Sequence, residues 1–178
     1  MVFDGVARTL HWLMALLLLA IFLFGLQLED LPLAERMEQI PVHASLGLTL
    51  LALVFIRLGW RWRHPAPLYP DSMTARQKYW AKGVVYSFYA LMIAQPLFGF
   101  MHAATYVDFE IHAFGALNVT ALLPSNRNVT SILNIIHGTC AWLLALLVIG
   151  HVGATLRHVF WDKDGIPARM IPFLKVPK

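Results

Sequence analysis

The sequence predicts an all-α integral membrane protein. It reads as one domain over residues 1–178, a four-helix bundle with both termini in the cytoplasm. Three observations carry this. The 178-residue chain is 58% hydrophobic and 13% charged, with mean hydropathy +0.62, too apolar for a water-soluble globule of this size. Four apolar stretches each approach the ~20 residues that a bilayer core requires. Basic residues collect on alternate connections.

The first predicted span covers residues 10–28, "LHWLMALLLLAIFLFGLQL". The preceding "MVFDGVART" does not lead into a short apolar core with a small-residue cleavage site, so this run is expected to be retained as a span. The second span covers 42–60, with "LGLTLLALVFI" at its centre. The third, 83–107, contains Pro96 and is expected to kink there, which membrane helices tolerate when neighbours satisfy the freed backbone groups. The fourth covers 129–156.

The charges set the direction. Arg8 lies at the N-terminus. Arg57, Arg61, Arg63, Arg76, Lys78 and Lys82 group with the connection between spans two and three. Arg157, Lys163, Arg169, Lys175 and Lys178 follow span four. These are 12 of the 14 basic residues. The other two loops hold only Arg36 and Arg127, beside Glu29, Asp30, Glu35, Glu38, Asp108 and Glu110. The positive-inside rule then places both termini in the cytoplasm. The net charge of +4 is explained by orientation and contact with anionic lipid, and no nucleic-acid motif accompanies it. The single cysteine, Cys140, excludes an internal disulfide and a Cys-x-x-Cys metal site.

Histidine is costly inside a bilayer, and its position there marks function. "HGTCAWLLALLVIGH" carries His137 and His151 at its two ends. Fourteen helical residues turn about 1400°, roughly 40° short of four turns, and rise about 21 Å. The two rings therefore share a face, one in each leaflet. His11, at the cytoplasmic start of span one, matches His151 in depth. His43, at the outer start of span two, matches His137. Each level offers two imidazoles from different helices, the arrangement needed to hold two flat macrocycles one above the other in a bundle core. An iron ligated by two imidazoles has no open position and favours electron transfer. Ser45, Gly47, Gly138, Gly150 and Gly153 lie beside these histidines and would allow close approach.

The elements "LHWLM" at His11, "HASLG" at His43, the "HG" to "GH" spacing of span four and the ending "HVFWDKD" together resemble the cytochrome b561 family in its bacterial four-helix form, over nearly the whole chain. The resemblance implies two haem b groups held by paired histidines. His11 and His151 would ligate the cytoplasmic-side iron, His43 and His137 the periplasmic-side iron. It also implies a multi-pass protein of the bacterial inner membrane that exchanges electrons with quinone. In its most specific form it implies superoxide oxidation at the periplasmic face and ubiquinone reduction near the cytoplasmic haem. Arg8, Trp12, Arg61, Lys82, Arg157 and His158 would be contacts for propionate or quinone, since guanidinium suits carboxylate. Trp12, Trp60, Trp62, Trp80 and Trp161 form an aromatic belt at the inner interface. Asp162 and Asp164 read as a solvated turn that could relay protons.

Two other readings compete. The outer loops carry six acids and two bases, which suits a basic periplasmic redox protein better than an anion such as superoxide; the chain would then be a haem-bearing membrane anchor and electron conduit. A haem-free channel or metal transporter is the third, since imidazole suits zinc and copper. It leaves each ion only two protein ligands.

Overall fold

A computed structural model describes residues 2–70, 73–106 and 109–174. Val107, at the expected end of span three, and Asp108, Lys175 and Lys178 lie outside the described residues. Four long helices dominate: α1 (Gly5–Asp30), α2 (Leu33–Arg63), α3 (Ala75–Ala104) and α4 (Arg127–Arg157). All four are long and apolar enough to cross a membrane.

Three of the four starts carry a side-chain cap. Asp4 caps α1, its side chain accepting from Ala7 N at 2.9 Å. Thr74 and Gln77 form a reciprocal capping box on α3: Thr74 Oγ1 accepts from Gln77 N at 3.2 Å, and Gln77 Oε1 accepts from Thr74 N at 2.8 Å. Such pairs satisfy amides that a helix start leaves unbonded. Asn126 caps α4 through Asn128 N and Val129 N. Only Leu31 and Pro32 separate α1 from α2. Arg36 closes that corner by donating to the carbonyls of Glu29, at 2.7 Å, and Leu31, at 3.0 Å.

The helices outrun the expected spans except at the end of α3, which stops at Ala104, short of the expected 107. α2 begins at Leu33 rather than near residue 42 and passes through Pro41. Its first turns, "LAERMEQIP", are too polar for a hydrocarbon core but amphipathic enough for a helix at its edge. His43 therefore lies within α2 and not at its start. α4 runs on into a π-helical turn, α5 (His158–Asp162). Lys163, with φ 47°, ends it in the left-handed region.

The close seams are α1–α2, α2–α3 and α3–α4. Met14 and Ile21 of α1 meet Leu50 and Val54 of α2, with Tyr89, Met92 and Ile93 of α3 against them. A second core sits at one end of the bundle, where Ala103 and Ala104 of α3 pack under Ile111, Ala113 and Val119. Those three residues belong to a small antiparallel hairpin and its flanks, β1 (His112–Ala113) and β2 (Leu117–Asn118), paired His112 with Asn118. Phe114 N donates to Ser45 Oγ at 2.7 Å, tying the turn to α2 two residues from His43.

The first and last described segments lie together at the opposite end. Phe3 N donates to Arg169 O at 3.3 Å. Arg8 Nε donates to the same carbonyl at 3.2 Å, and Trp12 Nε1 to Met170 O at 3.1 Å. Arg169 in turn donates to Leu68 O at 2.7 Å. The C-terminal segment, with a 3-10 turn α6 (Pro167–Arg169), is thereby strapped over this end.

Candidate functional site

The four histidines converge in two pairs, one towards each end of the bundle. At the terminal end, His11 of α1 and His151 of α4 have ring centroids 6.4 Å apart, with planes at 75°. Trp12 lies edge-on to His11 at 5.4 Å, and Phe88 edge-on to His151 at 5.5 Å. Towards the hairpin end, His43 of α2 and His137 of α4 have centroids 6.2 Å apart, with planes at 80°. Phe24 lies 5.9 Å from the His43 ring. The structure brings together the rings that the sequence sets at matching depths.

These distances test whether an iron fits. Metal–imidazole bonds are about 2.0–2.1 Å, and a ring centre lies roughly 1.1 Å behind its coordinating nitrogen, so trans imidazoles on one metal have centroids about 6.3 Å apart. Both ring separations lie close to that value. His43 Nδ1 and Gln95 Oε1 are also buried without a hydrogen-bond partner, a state that calls for an explanation when it occurs in an interior. The residues fit haem iron at both levels: His11 and His151 would hold one, His43 and His137 the other.

The hairpin-end pair is keyed into notches on neighbouring helices. His137 Nδ1 lies 3.0 Å from the Gln95 carbonyl. With the proton on Nδ1 it donates there, which fixes the ring and leaves Nε2 as the acceptor nitrogen. The Gln95 side-chain amide lies 3.3 Å from that Nε2. The ring reaches this position because Gly99 carries no side chain: a Cβ there would lie 2.6 Å from His137 Cε1 and 2.9 Å from Nδ1. Gly25 does the same for His43, with a Cβ at 3.2 Å from Cε1. The glycines expected to matter are different ones. A Cβ on Gly47, Gly138, Gly150 or Gly153 would meet nothing within 4 Å. Adjacency in sequence selected those four, whereas the close approach comes from a neighbouring helix.

The remaining expected contacts divide. Arg8 and Trp12 are bonded to the C-terminal strap. Trp12 also lines an apolar recess of about 270 Å³ with Ile171, Pro172 and Phe173. Arg61 lies over the Tyr89 ring, 6.0 Å from its centroid. Lys82 is exposed on α3. Arg157 Nε pairs with Asp162 at 3.3 Å. His158 Nδ1 lies 2.7 Å from Asp164 Oδ2 and 3.3 Å from Asp162 Oδ2. Asp164 is therefore a half-buried partner of His158 rather than a freely solvated turn residue, while Asp162 is exposed and still lies against the same ring. His64 stacks on Trp60 at 4.0 Å, and His112 pairs with Glu110 at 3.2 Å. Arg57, grouped with the basic connection in the sequence, is a buried residue of α2.

Known proteins are similar in sequence to this chain. Cytochrome b561 homolog 2 of Escherichia coli (strain K12) is 27% identical over 171 residues, covering 95% of this chain and 90% of the relative. Cytochrome b561 homolog 1 of the same organism is 28% identical over 130 residues, 73% of each. The family described as prokaryotic cytochrome b561 matches residues 2–173. Its members are multi-pass bacterial membrane proteins of haem b electron transfer, and this chain belongs to that family.

Proposed function

We propose that the protein is a di-haem b oxidoreductase of the bacterial inner membrane that moves electrons between the periplasmic face and the quinone pool. The observation that carries this is the pair of imidazole couples, 6.4 Å and 6.2 Å between centroids, set one above the other along one bundle. The terminal end faces the cytoplasm, because its connections hold most of the basic residues. Haem b, when bound, supplies a one-electron iron couple whose potential the axial histidines help to set. The chain supplies position, a dry interior and the fixed ring orientation seen at His137.

The substrate pair in this reading is superoxide and ubiquinone. Two superoxide anions release one electron each and become dioxygen; one ubiquinone takes up two electrons and two protons. The apolar recess beside Trp12 suits a quinone ring or tail. His158 with Asp162 and Asp164 supplies a hydrogen-bonded proton route at the same end. The test is direct: purified protein in nanodiscs is given superoxide and ubiquinone, and quinol is measured. Superoxide-dependent quinol formation is expected. Its absence in fully haem-loaded protein would sink the superoxide assignment.

One observation favours a second reading, in which the chain is a haem-bearing anchor and electron conduit for a basic periplasmic redox protein. Glu29, Asp30, Glu35, Glu38 and Glu110 are exposed at the hairpin end, while Arg36 spends its guanidinium on backbone carbonyls. That field attracts a cationic protein and repels an anion. Co-purification of a stoichiometric periplasmic partner would support this reading; full quinone-coupled activity from the isolated chain would count against it.

A further inference from the structure

Arg57 is a cation in the interior of a membrane bundle without a carboxylate. It is 7% exposed, in α2, between α1 and α3. Its Nη1 donates to Ala7 O at 2.8 Å and its Nε to Tyr89 Oη at 3.2 Å. Both acceptors are neutral, and among the described residues no acid is in ion-pair contact with it. A charge held out of water is costly unless an opposite charge compensates it. The next turn adds to the cost. Arg61, four residues on, lies over the ring of the same Tyr89, so two like charges face one side chain from positions where they repel. Two guanidiniums converging on a tyrosine, one of them sealed in, make an anion site that the described protein does not fill.

The location narrows the anion. Ala7, whose carbonyl Arg57 holds, lies one helical turn before His11. Phe88, beside Tyr89, packs on His151. Arg57 is thus braced against both helix neighbourhoods that carry the terminal-end imidazole pair. Haem b bears two propionate carboxylates on one edge. We propose that Arg57 pairs with a propionate of the haem held by His11 and His151, fixing the edge of the macrocycle and raising its potential. Arg61 and Tyr89 orient the guanidinium. This rests on the di-haem reading above. Arg57 is a positioning and charge-compensating residue, and it takes no part in electron or proton transfer.

A positive charge beside an iron porphyrin disfavours the ferric state, so removing it lowers the potential. The experiment is a spectroelectrochemical titration of holoprotein in nanodiscs, comparing the unaltered chain with Arg57→Gln and Arg57→Lys. His11→Ala identifies which of the two haem signals is the terminal-end one. In Arg57→Gln, the ferrous-to-ferric ratio of that haem at a fixed potential is expected to fall about tenfold, which is about 59 mV for a one-electron couple, with the other haem unchanged. Arg57→Lys keeps the charge and is expected to stay within about threefold. Both variants matching the unaltered protein would overturn the proposal while leaving the di-haem reading intact. Two haems retained in His11→Ala would instead refute the ligand assignment beneath it. If Arg57→Gln fails to assemble, the decision falls to redox-difference infrared spectra of protein loaded with haem carrying carbon-13 propionates. Labelled carboxylate bands that differ between unaltered protein and Arg57→Lys are expected. Identical bands would overturn the proposal, as they would if the guanidinium held a lipid phosphate instead.

Discussion

Gly99→Ala puts the hairpin-end geometry to its sharpest test. The added methyl would sit 2.6 Å from His137 Cε1, 2.9 Å from Nδ1 and 3.4 Å from Nε2, whereas carbon atoms in contact settle at about 3.5–4.0 Å. The ring has to retreat by roughly 1 Å, or the α3–α4 seam has to open. Either response stretches the 3.0 Å bond from Nδ1 to the Gln95 carbonyl and moves Nε2 by more than the ~0.2 Å that a metal site tolerates. Overpacking costs about 1–3 kcal/mol. Loss of an orienting bond behind a metal ligand typically costs about 10–100-fold in affinity. The expected outcome is protein that still inserts and keeps the terminal-end haem but loses the hairpin-end haem, so a pyridine haemochrome count falls from two per chain towards one. Gly25→Ala, with its closest contact at 3.2 Å, is expected to weaken binding at the same level without abolishing it. Gly99→Ala protein with two haems and an unaltered spectrum would refute the claim that this notch seats His137.

Three further outcomes follow from other parts of the structure. Thr130→Val removes a buried hydroxyl that donates to Thr105 O at 2.6 Å and ties α4 to the end of α3; a loss of about 1 kcal/mol in stability is expected in thermal unfolding, with both haems present. Asp4 holds its carboxyl below the usual carboxylate value, because the Ala7 amide donates to the ionised form, with Trp60 adding a second bond. A depressed value means the stabilisation is present at neutral pH and is lost as pH falls through the folded value, below 3.8; the acid-induced drop in thermal midpoint should be smaller in Asp4→Ala. Asp164→Ala releases His158 from its 2.7 Å partner, and on the proposed proton route it should slow ubiquinone reduction several-fold while the haem count stays at two. Unchanged turnover would remove that pair from the route.

Much of this was legible because membrane helices are constrained by one solvent. With no water to satisfy backbone groups, an apolar run of sufficient length has to be a helix, and residues 10–28 and 129–156 fall inside the helices found. The spacing of His137 and His151 fixes their shared face through helical pitch alone. Their partners His11 and His43 were found by depth, since a span's direction sets the level of each residue. What escaped depends on contacts between helices. Gly99 matters only because α4 brings His137 against it, and nothing within α3 announces that. Arg57 stands one turn before Arg61 and Arg63, so in sequence it reads as another positive-inside residue; its burial comes from the Ala7 carbonyl and the Tyr89 hydroxyl on two other helices. The polar start of α2 hid its helix because hydropathy tracks the hydrocarbon core, and an amphipathic extension beyond it leaves only a weak signal.

The central claim is that two levels of paired histidine each hold one haem. A reduced-minus-oxidised visible spectrum of the purified protein, combined with a pyridine haemochrome count, tests it directly across four single substitutions. Two b haems per chain are expected in the unaltered protein. One spectral component should vanish in both His11→Ala and His151→Ala, and the other in both His43→Ala and His137→Ala. A fully assembled chain without haem absorbance, or components lost in any other pairing, would contradict the account.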